Sequence, residues 1–290
     1  MKVGNLDGRL VLIGETGTYL DVAESSLGRF SSDPSAVYEH WDEFLEWADA
    51  ADISTVKTLD PAMLGAPVPA PRQIFAIGLN YSDHAAESGF AVPDQPTVFT
   101  KFVSCLAGPD TSVQLPAGGH TDWEVELVAV IGRTGTDIAE SKAWSHVAGL
   151  TVGQDISERK AQSAGPAPQF SLGKSFPNFG PTGPWVVPVG EFSDPDDLEL
   201  GCSINGTEMQ RGRTKDLVFT VPALVAKLSQ IVTLYPGDLI FTGTPAGVGL
   251  GRSPQVWLQE GDELVSWVEG IGEIRQTFVT DLRPEGENAA

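Results

Sequence analysis

Trp123-Glu124-Val125-Glu126-Leu127-Val128-Ala129-Val130-Ile131 is the stretch on which the fold turns. Its apolar, β-branched character and its length read as a buried strand, and a strand sends alternate side chains to opposite faces. Glu124 and Glu126 therefore share a face with Val128 and Val130, their backbones roughly 7 Å apart at about 3.3 Å of rise per residue. Two carboxylates at the mouth of an apolar layer repel each other and lose hydration. Either one takes up a proton or a cation sits between them. An edge strand with both glutamates in water is the ordinary alternative, and the stretch by itself leaves these readings open.

The whole chain narrows the classes. Its 290 residues suffice for one large domain with a smaller companion, and 41% hydrophobic residues is ordinary for a globular protein. Acidic residues outnumber basic ones 39 to 18, a formal charge of −21, so a polyanion is repelled and nucleic acid is not an expected partner. The same field attracts cations. Cys105 and Cys202 lie far apart without a CxxC pattern, which indicates neither a disulfide framework nor a zinc cluster. With no signal-peptide pattern and no run near about 18 apolar residues, the chain reads as a soluble cytoplasmic protein without a membrane partner.

Outward from the central stretch, residues 1–69 read as a small α+β N-terminal domain with its linker. A hairpin joins Leu10–Ile13 to Thr18–Val22, and a helix capped by Asp33-Pro34 presents Val37, Trp41, Phe44, Leu45 and Ala48 on one face. Pro61, Pro67, Pro69 and Pro71 mark the linker. Residues 70–290 form the main body. There Ile74–Gly78 reads as a strand leading into a short helix that places His84 and Glu87 on one face, a pairing a general base requires and a surface ion pair equally explains. Gly89, Pro93 and Pro96 suggest that this segment is a lid.

Residues 97–106 read as one strand carrying Lys101, whose ordinary fate is to snorkel. After the apolar run Val147–Val152, Asp155 reads as the N-cap of a helix with Glu158 at the third position of a capping box. A carboxylate there, with two more on the central strand, is equally a donor set for a hard divalent cation. Gly173-Lys174-Ser175 is not a phosphate loop, because Pro168 stands where that pattern needs glycine. Asn205-Gly206 marks a hairpin, and Val221–Leu234 reads as a helix. Asp238–Gly249 is a strand running into a glycine turn. Pro245 breaks any dinucleotide fingerprint, and the turn's amides with the Thr244 hydroxyl suit a carboxylate. The last strands fall near 256–258, 263–268 and 273–280.

In order, GLNYSDHAAE, DWEVELVAVIG, GQDISERKAQ, FSLGKSFPNFGPTGPW and GDLIFTGTPAGVG resemble the fumarylacetoacetate hydrolase family over roughly residues 70–280. The resemblance implies a mixed, mainly β fold: a rolled sheet or barrel with short helices, beside the small N-terminal domain. It also implies Mg²⁺ or Mn²⁺, a homodimer, and chemistry on small 2-oxo acids. By motif position, Glu124, Glu126 and Asp155 match the metal ligands, His84 and Glu87 the water-activating dyad, and Lys174 the lysine near the reacting carbonyl. Tyr81, Lys101, Arg159, Gln162, Gly243 and Thr244 match substrate contacts.

The implied activity is hydrolysis of a carbon–carbon bond in 2,4-dioxo acids of the acylpyruvate or fumarylpyruvate type, with release of pyruvate. The rivals are an oxaloacetate decarboxylase, an isomerase or lyase of a related 2-oxo acid, and a non-catalytic metal and 2-oxo-acid binding protein.

Overall fold

The computed structural model describes residues 1–14, 17–51, 57–83 and 93–280. The central strand runs from Val125 to Ile131 and every residue in it is buried. It pairs antiparallel with Val147–Gln154 on one side, Glu126 opposite Gly153, and antiparallel with Leu239–Phe241 on the other. Leu239–Phe241 pairs parallel with Ile74–Gly78, which in turn pairs antiparallel with Thr97–Thr100. On the other flank Gly180–Pro188 follows Val147–Gln154, and Lys2–Leu6 joins it through Val3 and Val186. The N-terminal strands Arg9–Ile13, Thr18–Asp21 and Lys57–Thr58 thus extend the same sheet, which has 11 strands among the described residues. A second sheet of five holds Asp110–Leu115, Glu199–Ile204, Thr207–Arg213, Glu263–Val268 and Gly272–Thr280.

Why the central strand is apolar on both faces follows from this layering. Val125, Leu127, Ala129 and Ile131 join a core with Leu200, Leu264 and Phe278 of the second sheet. Val128 and Val130 join another with Trp41 and Phe44 of the helix Trp41–Ala50. Each of the larger side chains contributes about 1.5–3 kcal/mol when fully buried, so neither face tolerates a charge without a partner. Glu126 has the parity of Val128 and Val130, as the period of two requires. The fold is mixed and mainly β with short helices, as the family resemblance implies.

The structure departs from the local residue patterns in five places. The helix expected from Asp33-Pro34 starts as a 3-10 turn over Ala36–His40, because Asp33 accepts from the Ser35 amide instead of capping an α-turn. The strand expected over 97–106 stops at Thr100; a 3-10 turn, Val103–Cys105, follows, and Lys101 turns inward to bond Asp155. Asp155 caps nothing. The helix Arg159–Gln162 is capped by Glu158, which accepts from the Lys160 and Ala161 amides, so the Asp155 carboxylate remains for other partners. The helix from Val221 ends at Ser229, and 256–258 is irregular. The Asn205-Gly206 hairpin forms as expected, with both residues at positive φ, the geometry of a type I′ turn.

Candidate active site

The period-two run of acids begins two positions before Glu124, at Asp122. Asp122, in the short strand Thr121–Asp122, pairs with Ser157–Glu158, which holds the start of the helix Arg159–Gln162 beside the central strand. Arg159 Nε donates to Asp122 Oδ1 at 2.6 Å, its Nη2 to Glu124 Oε1 at 2.7 Å, and its Nη1 to Gln162 Oε1 at 2.9 Å. Lys174 Nζ donates to Glu124 Oε2 and to Asp155 Oδ2, both at 2.6 Å. Lys101 Nζ donates to Asp155 Oδ1 at 2.7 Å, to Phe179 O at 3.2 Å and to Lys174 O.

Glu126 is held differently. Its Oε2 accepts the Gly243 amide at 2.8 Å. Gly243 has φ +100°, and a Cβ there would stand 2.7 Å from Asn80 Cβ, so the turn that aims this N–H at Glu126 needs glycine.

These contacts bring four carboxylates (Asp122, Glu124, Glu126, Asp155) against three cations (Lys101, Arg159, Lys174), all buried. The excess is one negative charge. Burial, then the charges of Asp155 and Glu124, raises the Glu126 pKa well above the ordinary carboxylate value. Burial works against the charge on Lys174, but Asp155 and Glu124 outweigh it and its pKa is raised.

Glu124, Glu126 and Asp155 each offer an oxygen, all within 4.8 Å of one another. In an octahedral shell of about 2.1 Å radius adjacent ligands stand roughly 3.0 Å apart and opposite ones roughly 4.2 Å, so the three oxygens are close enough to converge on one Mg²⁺ or Mn²⁺ as the side chains draw inward. Three hard, anionic oxygens in a pocket with one unbalanced negative charge fit a divalent ion.

Above the carboxylates lies a cavity of about 310 Å³. Glu124, Lys174, Arg159, Gln162 and Thr244 form its polar wall, and Ile77, Phe99, Phe170 and Leu250 its apolar one. Phe99 and Phe170 meet edge to face at 5.6 Å.

The remaining residues expected at the site divide. The Thr244 hydroxyl donates to Val125 O at 2.8 Å and accepts from Gln210 Nε2 at 2.7 Å, so it braces the central strand while its residue lines the cavity. Gly243 serves a metal-ligand candidate through its amide, not a substrate carboxylate. Lys101 lies behind Asp155, off the cavity wall, and neither exits to solvent nor faces the space a substrate would fill. Tyr81 lines a separate cavity with Asp83, Arg211 and Asp216. Its pKa is raised by burial and then by the charge of Glu126, which keeps the phenol neutral. His84 and Glu87 fall outside the described residues.

A model of the fumarylacetoacetate (FAA) hydrolase C-terminal family matches residues 73–279. The chain belongs to the fumarylacetoacetate hydrolase family. It is 44% identical over 248 residues to a 2,4-didehydro-3-deoxy-L-rhamnonate hydrolase of Sphingomonas sp. (strain SKA58), covering 84% of this chain and 86% of that protein. It is also 44% identical over 210 residues to the mitochondrial oxaloacetate tautomerase FAHD2A of Bos taurus, covering 72% of this chain and 67% of that one. Among solved structures, maleylpyruvate hydrolase from Sphingobium sp. SYK-6, in complex with manganese(II) and pyruvate, superposes with a TM-score of 0.78 at 27% identity, over 97% of this chain and 99% of that chain. The family thus includes hydrolases and a tautomerase on one scaffold. No helix among the described residues is long and apolar enough to cross a membrane.

The raised Glu126 pKa has a measurable sign. In the metal-free protein the folded state holds this proton above the pH at which the unfolded chain has released it, so stability falls as pH rises from about 4.5 through the folded value. A divalent ion must displace that proton. We expect Mn²⁺ uptake below the folded pKa to release about one proton and to tighten as pH rises, read by calorimetry in two buffers of different ionisation enthalpy. Binding that neither releases a proton nor varies with pH would remove Glu126 from the ligand set.

Proposed function

We propose that the protein is a Mg²⁺- or Mn²⁺-dependent hydrolase that cleaves the C3–C4 bond of 2,4-dioxo acids and releases pyruvate. The observation that carries this reading is the bridge of Lys174 between Glu124 and Asp155 on the polar wall of the cavity, with Arg159 beside it. Glu124, Glu126 and Asp155 would hold the ion, which when bound supplies positive charge for the 2-oxo acid's carboxylate and 2-oxo oxygen. With Glu126 ionised and that ion bound, the site would carry one excess positive charge, which favours an anionic substrate over water.

The chain's own groups do the rest. Arg159, pinned by Asp122 and Glu124, orients Gln162 toward the substrate, while the apolar wall excludes water from the carbon chain. In this reading His84, assisted by Glu87, takes a proton from water as the oxygen adds to the C4 carbonyl, and Lys174 donates to the developing oxyanion. When C3–C4 breaks, the electron pair passes to C3 and the 2-oxo oxygen as the enolate of pyruvate. The enolate then takes up a proton at C3, and the acyl half leaves as a carboxylate.

A second reading has support in the bovine relative, an oxaloacetate tautomerase: isomerisation of a 2-oxo dicarboxylate such as oxaloacetate would use the same polar wall without a nucleophilic water. One experiment separates them. With Mn²⁺ present, His84→Ala is expected to lower acylpyruvate cleavage by roughly 10²- to 10⁴-fold, while any turnover of oxaloacetate falls much less. Loss of the dioxo chromophore and release of pyruvate are the readouts. Acylpyruvates left intact by the parent protein while oxaloacetate is consumed would favour the second reading.

A further inference from the structure

A second chamber, of about 370 Å³, adjoins the cavity already described. Arg159, Gln162, Phe170 and Leu250 line both, so these residues form the waist between them. Beyond the waist, His120 and Trp257 stack with ring centroids 4.7 Å apart and planes 12° from parallel. The His120 backbone is fixed on both sides, its N–H donating to Glu158 Oε1 at 2.6 Å and its carbonyl accepting from Arg159 N at 2.9 Å. The rings therefore make a flat wall anchored to the same helix start that positions Arg159.

The charge of this wall is unlike that of the protein. In a chain of net charge −21, the chamber is lined by Arg159, Lys160 and His120 and by no carboxylate among the described residues. Arg159 is engaged by Asp122, Glu124 and Gln162. Lys160 is different. Its Nζ donates to Gly118 O at 2.5 Å, and among the described residues it has no acidic partner. An ammonium carries three donors, so Lys160 can meet an anion in the chamber while keeping that bond.

We propose that the second chamber receives the distal end of the acyl group and selects acyl groups that end in a carboxylate, through Lys160, with the His120–Trp257 stack as the flat wall along the carbon chain. This rests on the hydrolase reading above for its substrate and on the four lining residues shared by the two chambers for its geometry. The 2-oxo acid head lies over Glu124 and Lys174. Carbons beyond C4 cross the waist between Gln162 and Phe170, and a terminal carboxylate emerges beside Lys160. A neutral end would leave the ammonium there without an anion, a difference in charge that the outer field of the protein cannot supply because its sign is opposite.

The test uses two compounds that differ only at C7, 2,4-dioxoheptanedioate and 2,4-dioxoheptanoate, with full-length protein and saturating Mn²⁺. The parent is expected to favour the dicarboxylate in kcat/KM, and Lys160→Gln to reduce that preference roughly twofold to fivefold, the range for one exposed charge pair. The change should lie in KM, since a contact remote from the reacting bond acts alike on ground and transition states. The preference of the parent should also shrink as salt rises. Equal kcat/KM for the two compounds in the parent, or a preference untouched by Lys160→Gln at unchanged melting temperature, overturns the proposal. Calorimetric Kd values for the same pair are measured in parallel. A protein that cleaves neither compound yet binds the dicarboxylate more tightly, and loses that margin in Lys160→Gln, refutes the hydrolase reading and supports the chamber.

Discussion

Glu126→Gln is expected to weaken Mn²⁺ binding at least about a hundredfold and to abolish turnover of any 2-oxo acid, while making the metal-free protein more stable. The two effects have one cause. Four carboxylates face three cations in this site, and removing one carboxylate leaves the balance even, so nothing buried there calls for a further positive charge. A glutamine of the same shape still accepts the Gly243 amide at the position where Glu126 Oε2 accepts it at 2.8 Å, so the local backbone has no reason to move. What is lost is the ligand charge that offsets the ion's dehydration.

The stability gain follows from the raised pKa of Glu126: above that pKa the folded, metal-free protein carries a buried charge opposed by Asp155 and Glu124. Chelator-treated Glu126→Gln should therefore melt above the chelator-treated parent at alkaline pH, with the difference vanishing toward pH 4. Saturating Mn²⁺ should reverse the order. A variant that binds Mn²⁺ like the parent would show that the charge in this pocket is balanced by a proton alone.

Much of this arrangement is written locally. The parity of Glu124, Glu126, Val128 and Val130 needs only the period of a strand, and the structure keeps it. Asp122 extends the same alternation by one step and carries Arg159, but it sits before the apolar run, where a sequence pattern alone gives an acid no partner. Asp155 and Glu158 show the opposite failure: a capping box is a local pattern, and with Ser157 paired to Asp122 the helix starts three residues later and the cap falls to Glu158. The Gly243 amide, the Thr244 hydroxyl and the His120–Trp257 stack all act across more than 100 residues of chain, so nothing in their own neighbourhood announces them.

Lys101 is the residue on which the strand pattern and the structure differ most, and it yields the second large effect. Lys101→Met is expected to destabilise the protein by about 3 kcal/mol, the lower end of the range for removing one partner of a buried ion pair, because Asp155 keeps Lys174. Methionine keeps much of the volume but satisfies neither Asp155 Oδ1 nor the carbonyls of Phe179 and Lys174. Arginine should not rescue it. A Cβ on Gly180 would already lie 3.1 Å from Lys101 Cε, so the backbone packs close against the lysine stem, and a planar guanidinium needs more width than this channel gives. Freed on one side, Asp155 would also be a poorer ligand, and Mn²⁺ affinity should fall about 10- to 100-fold, as when a group supporting a ligand is removed. Denaturant midpoints and calorimetric titration read the two effects separately. If Lys101 instead touched substrate, the variant would unfold at the parental midpoint, bind Mn²⁺ as the parent does and show only a higher KM. The position of its ammonium, behind Asp155 and between two main-chain carbonyls, predicts the reverse on all three.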